Sequence, residues 1–342
     1  MSVSIKDIAK RVNRSITTVS RALNDYDDVS PETKQLILKT AKEMGYSPNT
    51  FAQRLQKQQS DTIGLILPTF SPRFSDPYFS ELLAGIGNMA ADLGFDLLVS
   101  TRSPGPEEIE AYKKLIEGER VDGFIVVRTR NQDARIEYLL SRDFPFVAFG
   151  RTDDCDRFSF VDEDGYFGMQ LVAEHIASLD HKIIGCITPH PDLAFTEKRL
   201  GGLKDGLAKF NLKLNEKYIK SGDLTQKSGY ELGKELLDLP VKPTAIIACN
   251  DLMAFGVMSA VQERGLLVGE DISVTGFDDI PMSEFSHPPL TTVHQPVYQI
   301  GRRVCEMLVK IIQNGHGEQK QVLLKPKLVI RQSTGINIQK LV

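Results

Sequence analysis

The stretch SIKDIAKRVNRSITTVSRALN, residues 4–24, decides how the N-terminal part of this chain folds. Ser4 and Asp7 stand at capping-box spacing, a hydroxyl for the orphan amides of a helix start and a carboxylate at its positive end. Ile5, Ile8, Ala9 and Val12 follow at i, i+3, i+4 and i+7, one apolar stripe along a short helix. Asn13-Arg14-Ser15 interrupts the pattern. Asparagine tolerates the left-handed backbone of a tight turn, and Ser15 can cap a second helix. That helix, predicted over about residues 16–24, buries Val19, Ala22 and Leu23. Its exposed side shows Thr17, Thr18, Ser20, Arg21 and Asn24. Ser30 and Pro31 open a third helix with a stripe of Ile37, Ala41 and Met44, ended by Gly45 and Pro48. Two short helices joined by three residues and braced by a third follow the helix-turn-helix plan. The second helix of that plan lays its N-terminal residues against base edges in the major groove. A small helical domain without a nucleic-acid role is the plain alternative. It leaves unexplained why small hydroxyl residues and Arg21 gather on one exposed face, where they reach phosphates and bases without blocking close approach.

Charge points the same way. The 342 residues carry a formal net charge of -4, yet residues 1–60 hold ten Lys/Arg against six Asp/Glu, so the head is +4 and the remainder -8. A polyanion would bind the basic head. The 41% hydrophobic and 25% charged content is that of an ordinary globular protein, long enough for two or three domains. No leader pattern opens the chain, and no apolar run nears the roughly 18 residues of a membrane span. A cytoplasmic location without membrane contact is therefore expected. Cys155, Cys186, Cys249 and Cys305 are widely spaced, three of them in apolar runs, and read as buried free thiols.

From Thr62 onward, apolar strand-like runs alternate with amphipathic helical patterns, at 63–67, 97–99, 124–127, 146–149, 183–187, 245–248 and 272–277. This is an α/β pattern of parallel sheets covered on both faces. The strands are too many for one core, so two doubly wound halves are predicted, with ligands bound outside the carboxyl ends of the strands. The run from Gly85 to Ala90 fits G-x-G-x-x-A, but it lies inside the helical stripe Phe79, Leu82, Leu83, Ile86, Met89, Ala90, Leu93. A dinucleotide fingerprint must instead follow a strand and open a helix. Small residues easing helix–sheet approach are the simpler account. No phosphate-loop, nucleophile-elbow or zinc motif is present, and six histidines lack metal-ligand spacing, so no cofactor and no metal are expected. Asp162-Glu163-Asp164 is not read as a carboxylate cluster, because consecutive strand residues point to opposite faces.

Residues 4–60 also resemble the headpiece of the lac/galactose repressor family. The resemblance is carried by T-V-S-R (18–21), V-S-x-x-T (29–33), G-Y-x-P-N (45–49) and A-x-x-L (52–55), while Asn13-Arg14 replaces the family's usual Gly-Val. It implies that Ile16, Thr17 and Arg21 face base edges, and that Ser15, Thr18, Ser20, Asn24, Ser30 and Thr33 hold phosphates. It further implies a hinge helix over 49–56, with Asn49 and Ala52 at the DNA and Leu55 wedged between minor-groove base steps. Packing onto the larger domain is the alternative for Leu55.

The resemblance runs on to about Gly335, toward the two-lobed periplasmic sugar-binding-protein fold. Its signposts include P-Y-F (77–79), V-D-G-F-I (121–125), F-G-R (149–151), F-V-D-E-D-G (160–165), K-R-L-x-G (198–202), A-C-N-D (248–251) and P-L-T-T-V-H-Q-P (289–296). It implies a helix-turn-helix headpiece at 1–48, a hinge and linker at 49–61, and an effector and dimerisation domain at 62–342. The N-lobe would take about 62–161 and 293–325, the C-lobe about 162–292 and 326–342. Phe79, Arg151, Arg199, Asn250, Asp278 and Gln295 would bind the effector. The set suits a polyol, since Asp accepts from hydroxyls, Arg and Asn donate, and Phe79 can lie against a sugar ring. Arg128 and Asp133 would add contacts to a larger saccharide, and Gly150 departs from the Asp or Asn of many members. The implied protein is a homodimeric repressor of carbohydrate-utilisation genes, bound to a pseudopalindromic double-stranded DNA operator and released by a mono- or disaccharide. Seven residues after Gly335 leave no room for an added tetramerising heptad helix, which favours the dimer. A plain sugar-binding protein is the chief rival and an α/β enzyme the next; the capped helices of residues 1–60 argue against both.

Overall fold

A computed structural model describes residues 3–46, 59–69, 76–315, 317 and 320–337, and the chain divides into two units, 1–60 and 61–342. Asn49, Ala52 and Leu55, expected in a hinge helix, lie outside the described residues.

The first unit holds α1 (Ile5–Val12), α2 (Ile16–Leu23) and α3 (Pro31–Glu43). The capping box forms as its spacing requires, with Ser4 N donating to Asp7 Oδ2 at 2.9 Å. Asn13 takes the left-handed turn at φ 52°. Ser15 and Ser30 cap the next two helices, their hydroxyls accepting from the amides of Thr18 and Thr33. Helices of this length are marginal alone. A shared core of Ile8, Val19 and Ile37, closed by Ala9, Ala22, Val29 and Ala41, sets their mutual angles.

The second unit is built from two parallel sheets. Its N-lobe runs β1 (Thr62–Pro68), α4 (Pro77–Asp92), β2 (Asp96–Arg102), α5 (Pro106–Glu117), β3 (Gly123–Val126), α6 (Ala134–Ser141), β4 (Phe146–Phe149) and β5 (Phe160–Glu163). The C-lobe follows with α7 (Gly165–Ser178), β6 (Ile184–Thr188), α8 (Ala194–Ala208), β7 (Ile219–Ser221), α9 (Gln226–Leu237), β8 (Ala245–Ala248), α10 (Asp251–Glu263), β9 (Ser273–Thr275) and the short α11 (Met282–Phe285). The chain returns through β10 (Thr292–His294), α12 (Val297–Asn314), β11 (Gln321–Leu324) and β12 (Lys327–Val329).

Strand order is β11-β5-β4-β3-β1-β2 in one sheet and β7-β6-β8-β9 in the other, and every pair in both is parallel. Every residue of β1 is buried, as expected for a strand covered on both faces. A two-stranded antiparallel ladder, β10 with β12, ties two of the crossover segments together. Its strands are too short for a periodicity to mark them.

Two expectations need correction. The first crossing falls after Glu163 rather than at 161–162, because all of β5 pairs with β11 in the N-lobe sheet. The Gly85 run eases helix–helix rather than helix–sheet packing. A Cβ on Gly85 would meet the Tyr298 carbonyl oxygen of α12 at 2.2 Å, and one on Gly301 would meet the Leu82 carbonyl oxygen at 2.5 Å.

Asp251, at the start of α10, binds these parts together. Its fully buried carboxylate accepts from Ile280 N at 2.8 Å, Ser283 Oγ at 2.7 Å and Thr292 Oγ1. Burial pushes this carboxyl up to about 7, against the three hydrogen bonds that favour its charge. An unfolded aspartate ionises near 4, so between these values the folded chain holds the extra proton. The stability from this group is complete below about pH 4 and is lost as pH rises toward 7. Asp251→Ala orphans three buried donors and should cost about 3 kcal/mol in denaturant titration at pH 7. The cost should be larger at pH 5 than at pH 7; a cost below about 1 kcal/mol at both would contradict the role given to Asp251.

Candidate functional site

In the first unit, Ile16, Thr17 and Arg21 are exposed on α2. Ile16, 49% exposed, is a large apolar side chain at a helix start with no core to explain it. Arg21 is held on its own surface, 2.6 Å from Asp28 Oδ2 and 5.7 Å from the Tyr26 ring centre. Such a half-exposed pair is worth at most about 1 kcal/mol, so Arg21 leaves it readily for a stronger acceptor. Ser15 and Thr18 share a hydroxyl contact of 2.8 Å, Ser30 donates to Thr33 Oγ1 at 2.9 Å, and Asn24 Nδ2 donates to the Ser20 carbonyl at 2.9 Å. Ser15, Thr18, Ser30 and Thr33 thus sit at the N-termini of α2 and α3, the helix ends that favour an anion.

In the second unit, a narrow cavity lies between the lobes, with about 70 Å³ of free space and a lining drawn from both. Its lining residues lie where the strands end. Arg128 and Thr129 follow β3, Gly150 follows β4, Asp162 and Glu163 close β5, Asn250 follows β8 and Asp278 follows β9. The positions where strand order reverses, β1/β3 and β6/β8, face this crevice, as open parallel sheets require.

Of the six expected effector residues, Phe79, Arg199, Asn250 and Asp278 line the cavity. Arg151 and Gln295 do not; each instead holds a carboxylate that does. Arg151 Nε lies 3.1 Å from Asp162 Oδ2, and Gln295 Nε2 donates to Asp278 Oδ1 at 2.7 Å. Asp133 is also no cavity residue. It caps α6 and is buried against Arg135. Arg128 does line the wall, over the Phe79 ring at 4.6 Å and paired with Asp76 at 3.2 Å.

Sequence reasoning missed Asp76, Tyr78, Asp162 and Glu163. Strand alternation does not separate the first two carboxylates of the 162–164 run, which line one cavity. Both stand at the very end of β5, where the sheet gives way to the crevice and adjacent residues can reach one space. Asp164 alone is structural, capping α7 through Phe167 N at 3.1 Å. The available signal was an apolar run ending abruptly in two acids.

Glu163 and Arg199 join the lobes at 2.7 Å, each almost fully buried. Arg199 also donates to the Cys249 carbonyl at 2.6 Å and stacks 3.6 Å from the Phe277 ring centre, while its Nε is buried with no hydrogen-bond partner. Burial works against that cation, and the charges of Glu163 and Asp278 more than restore it. Asp278 is pushed well above the ordinary carboxylate range by burial, with Arg199 opposing; burial, then the neighbouring Glu163 charge, does the same to Asp162. Asn250 caps α10 through Met253 N and donates to the Leu224 carbonyl at 3.0 Å, leaving one N–H and one lone pair for a ligand. The cavity therefore combines carboxylate acceptors, guanidinium and amide donors, and the rings of Tyr78, Phe79, Phe149 and Phe195. Among the described residues no cluster of side chains suits a metal ion, and no helix is long and apolar enough to cross a membrane.

Both parts of the chain have relatives among known proteins. Residues 4–49 match the family described as "Bacterial regulatory proteins, lacI family", and residues 173–334 match "Periplasmic binding protein-like domain". The HTH-type transcriptional regulator AglR of Rhizobium meliloti (strain 1021) is 34% identical over 339 residues, covering 98% of this chain and 95% of its own. The lac repressor dimer bound to operator and the anti-inducer ONPF superposes with a TM-score of 0.84 at 29% identity, over 98% of this chain and 100% of that one. The transcriptional regulator CelR in complex with cellobiose does so with a TM-score of 0.76 at 28% identity, over 97% and 99%. These relatives are regulators, which sets aside the enzyme alternative. The chain belongs to the lacI family of bacterial regulatory proteins, DNA-binding transcription regulators with a periplasmic-binding-protein-like effector domain.

Proposed function

We propose that this chain represses carbohydrate-utilisation genes in the cytoplasm, holding a pseudopalindromic operator as a homodimer and releasing it when a mono- or disaccharide fills the cleft. The observation that carries this reading is the cavity lining, where acids, guanidinium and amide donors, and aromatic rings face one space. Hydroxyl groups can satisfy the acceptors and donors together, and ring C–H faces can lie on the aromatic surfaces. An anionic ligand finds only two cations on the wall, Arg128 and Arg199, and each is already paired, with Asp76 and Glu163. CelR with cellobiose and the operator-bound lac repressor dimer support the sugar and the DNA halves of the reading. The apolar Met282 and Phe285, the latter 73% exposed, offer a surface for the second copy.

In this scheme residues 1–48 form the reading head, residues 49–61 the hinge, and 62–342 the body. Ile16, Thr17 and Arg21 read bases. Ser15, Thr18, Ser20, Asn24, Ser30 and Thr33 position phosphates, and Asn49, Ala52 and Leu55 act in the hinge. In the cleft Phe79, Arg199, Asn250 and Asp278 touch the effector, with Arg151 and Gln295 fixing the wall carboxylates of Asp162 and Asp278. A sugar regulates only by binding the released state more tightly than the operator-bound one.

Thermal unfolding with a panel of mono- and disaccharides, cellobiose included, should identify one sugar that stabilises the full chain by about 2–3 kcal/mol at a hundredfold excess over its Kd. The same sugar should lower operator affinity; a panel without effect on either readout counts against a sugar effector. Arg21→Ala should cost about 1–3 kcal/mol of discrimination between operator and scrambled duplex in competition anisotropy, while leaving the sugar response intact. Equal loss on both duplexes would assign Arg21 to phosphate instead.

A further inference from the structure

Beside the cleft, the N-lobe buries an ion cluster that neither the sheet nor the effector contacts account for. Arg135 is fully buried and spends all five donors. Nε and Nη2 reach the two oxygens of Asp133 at 2.9 and 2.7 Å, Nη1 reaches Glu108 Oε1 at 3.2 Å, and the rest go to the carbonyls of Val127 at 3.1 Å and Arg128 at 2.9 Å. Glu108, also fully buried, takes a two-pronged pair from Arg130 at 2.7 and 3.2 Å. The Arg130 amide donates to Asp133 Oδ2 at 3.0 Å. The backbone groups held in this way, two accepting carbonyls and one donating amide, belong to one loop, 127–130, whose Arg128 sits at φ 50°, a conformation disfavoured outside glycine. Buried ion clusters are weak sources of stability, since desolvation offsets attraction. A planar, saturated guanidinium is a strong source of geometry.

That loop touches the opposite lobe. Asn131 N donates to the Asp192 carbonyl and Ala194 N to the Thr129 carbonyl, both at 3.0 Å, around an antiparallel bridge of Arg130 with Leu193. Ala194 opens α8, the helix that brings Phe195 and Arg199 to the cleft.

We infer that the cluster of Glu108, Arg130, Asp133 and Arg135 is a positioning device that sets loop 128–131 as a rigid jaw, so that closure of the lobes is registered through its backbone clasp with 192–194. Its part in effector response rests on the reading of the cleft given above; the clasp itself does not. The cluster residues are positioning residues and none of them lines the cavity.

The test uses the full chain without any sugar, by amide hydrogen exchange. Glu108→Gln keeps shape and removes the shared carboxylate, and should speed exchange at Asn131 and Ala194 at least about tenfold, while Phe124 and Ile125 in β3 keep their wild-type rates. Arg130→Met is the second variant should the first fail to fold. It leaves Arg135 on Glu108 and should give the same local pattern. Ala194→Pro probes the clasp from the other side. It sits at the first helical position, where proline is tolerated, after Leu193 at φ -75° and ψ 125°, which proline accepts. It should speed exchange at Asn131 without touching β3. Unchanged exchange at Asn131 in the variants that fold, or acceleration spread evenly over the N-lobe, overturns the proposal. Because no ligand enters, the outcome stands whether or not a sugar is the effector.

Discussion

A carboxylate taken out of water must be answered by a donor or a cation, and in this cleft much of the answer comes from across the gap. Glu163, at the end of an N-lobe strand, meets Arg199 on a C-lobe helix at 2.7 Å. Asp278, past the last C-lobe strand, is held by Gln295 on the returning crossover, whose Oε1 accepts from Tyr78 of the N-lobe at 3.4 Å. An unpaired buried charge costs several kcal/mol, so separating the lobes exposes these groups to water or leaves them unanswered. The cost makes the cleft sensitive to whatever fills it. A ligand whose hydroxyls replace or extend these contacts changes the balance between open and closed arrangements, as differential binding requires.

The same constraint explains which parts of the site were legible in the sequence. Asn250, Asp278 and Phe79 stand just beyond apolar runs or at a helix start, so the topology of a doubly wound sheet sends them to the crevice, while Arg199, in the second turn of α8, was marked by the family resemblance alone. Arg151 and Gln295 stand in similar places, yet each lies behind an acid. A sequence shows that a cation or amide reaches the region and not whether a carboxylate takes it first. Strand alternation does not reveal Asp162 and Glu163, because both are buried at the end of β5 and both still line the cavity. The fold itself was more legible, because its signals are long-range and redundant: seven apolar runs became β1–β4, β6, β8 and β9, while β7, β10 and β12, three residues each, carry too little pattern to read.

The headpiece was legible almost residue by residue for a related reason. Its caps, turn and stripes are local, and local rules fix them before any tertiary contact: Ser4 with Asp7, Asn13 in its left-handed turn, Ser15 and Ser30 on their helices. What the local rules could not show is where Arg21 rests without DNA. Its partner Asp28 belongs to the loop before α3, and the pair depends on the packing of three helices.

Unusual backbone conformations also stand on the cleft wall. Arg128 at φ 50°, Gly150 at φ 106° and Asp278 at φ 115° all line one cavity, and such conformations persist only where surroundings over-determine them. Each is over-determined here by a different device: Arg128 by the buried guanidinium that takes its carbonyl, Asp278 by Gln295, and Gly150 by having no side chain at all. A Cβ at Gly150 would come within 2.6 Å of Thr129 Oγ1. The family's usual Asp or Asn therefore has no room at this position while Thr129 stays on the wall. The wall's acids stand one strand over, at Asp162 and Glu163 of β5, beside the β4 end that carries Gly150. The departure at 150 and the paired acids at 162 and 163 are thus two sides of one arrangement, in which the acidic groups of this wall are set by a strand end and Thr129 fills the space a side chain at 150 would need.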